Sequence, residues 1–133
     1  VEKENRVSLW IGQAASEEQL EEILEFSYEK DGEIELPIFA QAFNIEHFDD
    51  DFREAFILEI PIQHWTIALQ DISYSELLLP AFIRWLPEPS SAEQQKVNAV
   101  ILLYHFDYKG TIRKRSIAGQ TWTYIGSVDC EML

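Results

Sequence analysis

Between Val97 and Tyr108 the chain is apolar at almost every position, with Asn98 and His105 among the exceptions. The run falls short of the ~20 apolar residues that a membrane helix needs. Read as a strand, it must be covered on both faces, which makes it a central strand of a sheet. Lys109-Gly110 reads as a tight hairpin turn, Thr111–Ala118 as the next strand and Gly119-Gln120 as a second turn. With Thr121–Val128 as the last strand, the three predict an antiparallel meander. Arg6–Gly12 alternates Val7, Leu9 and Ile11 on one face with Ser8 and Trp10 on the other, and Gly12 ends it. This first strand is expected in the same sheet.

The middle of the chain reads as helical. Ser16-Glu-Glu-Gln19 has the form of a capping box and opens a helix predicted to reach about Tyr28. Leu20, Ile23, Leu24 and Tyr28 form its apolar stripe; Glu18, Glu21, Glu22, Glu25 and Glu29 form its wet side. Asp31-Gly32 marks a turn. Pro37 suits the first position of a shorter helix, with Ile38, Phe39, Ala42 and Phe43 inward and Asn44 as a left-handed stop. Phe48–Phe52 is a turn or a helix start, and Arg53–Ile60 suits either strand or helix. Pro61 is expected to begin a helix over Ile62–Leu69. Ser73-Tyr-Ser-Glu76 predicts a second capping box before Leu77–Leu86, which Pro80 should kink or shorten. Pro87–Ser91 is a loop.

These elements predict an α+β fold: an antiparallel sheet of about four strands with helices packed mainly on one face, in a single domain over residues 1–133. A hydrophobic content of 47% and four tryptophans exclude a disordered acidic tail. Trp10 and Trp65 fit the core, and Trp122 on the last strand is the candidate exposed anchor. The sole cysteine, Cys130, has no internal partner, and the polar start Val1–Arg6 is unlike a secretory leader. Both favour a cytoplasmic location.

Charge is unevenly distributed. Seventeen of 24 carboxylates lie in residues 1–60 beside only Lys3, Arg6, Lys30 and Arg53, a net −13, whereas residues 61–133 carry −1. On the first predicted helix Glu17/Glu21, Glu18/Glu22, Glu21/Glu25 and Glu25/Glu29 are like-charged pairs at i,i+4. Each costs ~0.2–0.5 kcal/mol, on the order of 1–2 kcal/mol together. A solvated face is the ordinary reading of such a run. Selection for stability would have interleaved cations, and none stands between Arg6 and Lys30. With Asp31, Glu33, Glu35 and Asp49–Asp51 added, the balance favours a functional acidic surface. The candidate partner-binding residues are Glu18, Glu21, Glu22, Glu25, Glu29, Asp31, Asp49, Asp50 and Asp51.

No catalytic motif is present: no GxSxG, P-loop, dinucleotide fingerprint or HExxH. His47, His64 and His105 share no spacing, and Cys130 stands on a tail expected to fray, a poor place for a nucleophile. Glu46–Asp51 is rich in oxygen donors, but it lacks the alternate ligand spacing and central glycine of a calcium loop. A solvated turn with one aspartate capping the next element is expected there, without metal or cofactor. Arg113-Lys-Arg115 is the single basic cluster and suits an exposed strand protected against edge-to-edge pairing. It does not overcome the −14 background to bind nucleic acid.

The strand Val7-Ser-Leu-Trp-Ile-Gly12, with Ser16-Glu-Glu-Gln-Leu-Glu-Glu22 and Phe26-Ser-Tyr28 behind it, resembles the start of the immunity protein 22 family of bacterial polymorphic toxin systems. Phe39–Phe52, Glu54-Ala55 and Ser73-Tyr-Ser75 are similar too, so that the resemblance spans most of residues 6–86. It implies a small cytoplasmic α+β protein, encoded beside a toxin, that binds and neutralises that toxin. The acidic surface adds that the cognate toxin domain is basic, as a nuclease must be to hold phosphates. A dense carboxylate face would occlude such a cleft stoichiometrically, with fast electrostatic capture. The alternatives are a ligand-binding or regulatory domain with a pocket between sheet and helices, and a divalent-metal-dependent hydrolase centred on Glu46–Asp51.

Overall fold

The computed structural model describes residues 2–28, 32, 34–58, 65–86 and 97–131. In chain order these form β1 (Glu2–Gly12), α1 (Glu17–Leu24), β2 (Ser27–Tyr28), β3 (Ile34–Glu35), α2 (Ile38–Ala42) and a 3-10 turn (Asp50–Phe52). There follow β4 (Arg53–Ile57), α3 (Trp65–Ala68), α4 (Ser75–Ile83), β5 (Ala99–Phe106), β6 (Lys114–Ile117) and β7 (Gln120–Asp129). Five strands make one antiparallel sheet in the order β4-β5-β1-β7-β6, and β2 and β3 pair as a small separate hairpin.

The period-2 pattern of the central strands divides the apolar side chains between two cores. Trp10, Ile101, Leu103 and Trp122 pack with Leu20, Ile23 and Leu24 of α1 and with Phe39 and Phe43 around α2. Val7, Leu9, Ile11, Val100 and Leu102 pack on the other face with Trp65, Leu69, Leu78 and Phe82 from α3, α4 and the turn between them. This is why β5 is apolar at successive positions: each side chain meets a core, whichever way it points. The α+β class therefore holds, with five strands, and the helices are shared between both faces.

The predicted meander is not formed. β1 lies between β5 and β7, and of the three C-terminal strands only β6 and β7 pair with each other. The reason is burial. β1 is apolar on both faces, so it takes an interior place, whereas Lys114, Arg115 and Ser116 of β6 are exposed and suit the sheet edge. Lys109-Gly110 is accordingly no hairpin turn; residues 107–113 carry the chain past β1 and β7 to the far edge.

Local signals fare better. The Ser16 hydroxyl accepts the Gln19 N–H at 3.1 Å, and Gln19 Oε1 accepts the Ala15 N–H at 2.6 Å. Asn44 sits at φ 57°, as a left-handed stop requires. Pro37 is the N-cap of α2, and Phe39 and Phe43 are buried, but Ile38 is exposed. Helix α1 stops at Leu24, where Glu25 turns extended; Ser27 and Tyr28 join a strand pair instead. The Tyr28 side chain, Asp31, residues 59–64 and the Pro87–Ser91 loop lie outside the described residues.

The second capping box fails. Ser73 gives its N–H and hydroxyl to Glu54, both at 3.0 Å, and α4 starts behind a left-handed Tyr74 (φ 60°). A strand carboxylate outcompetes the helix for that serine. Helix α4 runs through Pro80 and ends at Ile83. Trp10 and Trp65 are buried as expected, but Trp122 is fully buried rather than an exposed anchor. The exposed tryptophan is Trp85, with Arg84 4.3 Å above its ring. Cys130 is likewise buried, its N–H donating to Asn5 O at 2.7 Å.

Candidate acidic docking surface

Arg53 decides how the acidic segments sit. On β4, Ala55 and Ile57 face the α1 core while Phe56 faces the other, as does Leu58 just after the strand, so the strand period aims Arg53 at α1. Its guanidinium meets Glu21 through two bonds, Nη2–Oε2 at 2.8 Å and Nη1–Oε1 at 3.3 Å. Its Nε meets Asp50 Oδ1 at 2.6 Å. Burial works against the charge, but the hydrogen bonds to Glu21 and Asp50 outweigh it and raise the guanidinium pKa above its ordinary value. One cation thus links α1 to the aspartate turn, more than twenty residues on in sequence.

The three aspartates do different work. Asp49 Oδ1 accepts the Asp51 N–H at 2.9 Å and caps the turn, Asp50 holds Arg53, and Asp51 is exposed. Among the described residues no three His, Cys, Asp or Glu side chains converge as metal ligands. Glu18 and Glu22 are exposed on α1, and among the described residues neither has an ion-pair partner. Glu25 is exposed but stands beyond the helix end, and Glu29 and Asp31 are outside the described residues. The like-charge pairs within α1 are therefore two, Glu17/Glu21 and Glu18/Glu22, and Arg53 relieves the first. The repulsion inferred from four unrelieved pairs falls to ~0.2–0.5 kcal/mol.

Glu54, one residue on, points to the opposite core and serves structure. It accepts the Tyr104 hydroxyl at 2.8 Å as well as the two bonds from Ser73. Burial and this carboxylate push the Tyr104 phenol far above its usual range. At the far side of the turn, a groove of about 430 Å³ opens beside Phe52 and His105. Its base includes the buried Phe48, Leu103 and Phe106, and its rim carries Glu2, Glu4 and Asp49 against Lys3. Neither Phe52 nor this groove was singled out from sequence. The signal for it, an aromatic directly after three aspartates, is ambiguous until β5 is known to run beside the turn.

A family model described as Immunity protein 22 matches residues 7–131, from the core-forming part of β1 through the C-terminal hairpin. The chain belongs to the Immunity protein 22 family. Membership covers β6 and β7 as well as the N-terminal motifs, and so extends well past residue 86. It supports an immunity role in general, and a toxin as the general kind of partner. No curated protein and no solved structure matches the chain. Among the described residues no helix is long and apolar enough to cross a membrane.

Proposed function

We propose that this member of the Immunity protein 22 family neutralises a cognate basic toxin domain by stoichiometric occlusion, in the cytoplasm and without turnover or cofactor. The observation that carries the reading is the Arg53 bridge, at 2.8 Å to Glu21 and 2.6 Å to Asp50. It merges two acidic segments into one surface, with Glu18, Glu22, Glu25, Asp49 and Asp51 turned to solvent around it. A nuclease fits the required chemistry, because its phosphate-binding cleft must be basic. Complementary charge of this kind raises association rates and penalises wrong partners. Lys114 and Arg115 stand on β6, at the sheet edge opposite β4.

The test is association kinetics with the toxin encoded beside this gene, over a salt series. Reversing Glu18, Glu22 and Asp51 to Lys spares the Arg53 bridge. It should slow association about tenfold or more at low salt and much less at 1 M, where the Debye length is ~3 Å. Unchanged association and unchanged protection of cells would show that this face is merely solvated.

A further inference from the structure

The groove beside Phe52 holds a combination that folding alone does not call for. Phe52 ends the aspartate turn with 45% of its surface exposed, and its ring meets the His105 imidazole edge-on with centroids 4.9 Å apart. The sheet is opened at this point: the β1–β5 register shifts between Glu2 and Val7, and Asn5 and His105 both take left-handed backbone angles (φ 64° and 55°). The Asn5 N–H donates to His105 Nδ1 at 3.3 Å, which fixes the imidazole as one wall. Among the described residues that line the groove, the carboxylates of Glu2, Glu4 and Asp49 stand against one ammonium, that of Lys3.

We propose that this groove receives an arginine or lysine side chain of the toxin; this rests on the reading of the acidic surface above. An apolar occupant would leave three carboxylates desolvated at the rim, and an anion would be repelled. A long cationic side chain satisfies both parts. Its methylene stem and the flat face of a guanidinium stack on aromatic rings, while its N–H groups reach carboxylates. The volume of about 430 Å³ lies in the ~300–1,000 Å³ range of small-ligand sites, so one side chain enters with room for water. The cationic side chain packed on Phe52 is then a buried anchor in a pocket, and a few such anchors carry most of an interface's binding energy. Glu2 and Glu4 precede residue 7, where the family match begins, so two of the three rim carboxylates lie outside that match and Asp49 lies within it.

Two measurements test this. The first is dissociation from the toxin encoded beside the gene. Phe52→Ala should speed dissociation roughly tenfold while association changes by less than about twofold, since anchors act on off-rates and rim charges on on-rates. If Phe52→Ala lowers the melting temperature, Phe52→Leu, which keeps apolar bulk and loses the ring face, replaces it and should speed dissociation by several-fold. The second is an NMR titration of the free protein with an acetylated tetra-arginine amide. Shifts should centre on the Phe52, His105 and Phe106 amides and weaken with Phe52→Ala or Asp49→Asn. Dissociation unaffected by either Phe52 variant, or peptide shifts confined to α1, overturns the groove assignment. If the Glu18, Glu22 and Asp51 reversals still slow association, the acidic-surface reading survives that failure. If they do not, both fall.

Discussion

Replacing Arg53 by Met keeps most of the aliphatic stem and removes the charge that joins α1 to the aspartate turn. Its side chain is 17% exposed, against 59% for Glu21 and 53% for Asp50, so each pair is largely screened by solvent. Ion pairs of that exposure contribute ~0.2–1 kcal/mol each. The two together contribute about 1 kcal/mol near 0.1 M salt. Removing the cation also leaves Glu21 facing Glu17, and the turn carboxylates facing α1, which adds a few tenths of a kcal/mol (~0.2–0.5) at low salt. For a chain of 133 residues, 1 kcal/mol moves the melting temperature by about 3–5 °C. The melting temperature of Arg53→Met should therefore fall by about 4–8 °C at 10 mM salt and by less at 1 M, because screening weakens both contributions. A double-mutant cycle with Glu21→Gln should return a coupling of ~0.5–1 kcal/mol at low salt. A loss that is identical at both salt concentrations, with coupling below ~0.3 kcal/mol, would show that Arg53 acts through packing alone. The acidic surface would then lose its organising residue.

Two further outcomes follow from single sites. A Cβ on Gly12 would come within 2.3 Å of the buried Trp122 ring and 2.8 Å of Thr121 O, so Gly12→Ala should cost at least ~2–3 kcal/mol by chemical denaturation; a loss below ~1 kcal/mol would refute the close approach. Burial disfavours the Asp107 carboxylate, but hydrogen bonds from Lys109 and Arg6 outweigh that and hold its pKa below the ordinary 3.8. A depressed pKa gives stability that is present above about pH 4 and lost as pH falls through the folded-state value. Asp107→Asn should then cost ~1–3 kcal/mol at pH 7, with a gap to the wild type that narrows below pH 4; a gap constant with pH refutes it.

What was legible in the sequence is what neighbours in the chain decide. The Ser16 cap, the left-handed Asn44, the two faces of Arg6–Gly12 and the both-sided burial of β5 depend on spacings of a few residues, and all are present. The exposure of the cationic strand was likewise readable, as Lys114 and Arg115 of β6 show, although the expected meander had set that strand between two others rather than at the edge. Motif content also sufficed to point to the family now matched over residues 7–131.

Tertiary structure decided the rest, because competing partners come from distant parts of the chain. Alternation says which side chains share a face but not which strand lies alongside, so the expected meander gave way to β1 in the place between β5 and β7. Glu54 drew Ser73 away from its cap, and pairing of Ser27 and Tyr28 with β3 ended α1 four residues early. Trp122, expected as an exposed anchor, found a core to fill, and the exposed tryptophan is Trp85. The acidic residues were visible as a charge imbalance. Their union into one surface awaited Arg53, whose reach to both Glu21 and Asp50 exists only once β4 lies beside α1.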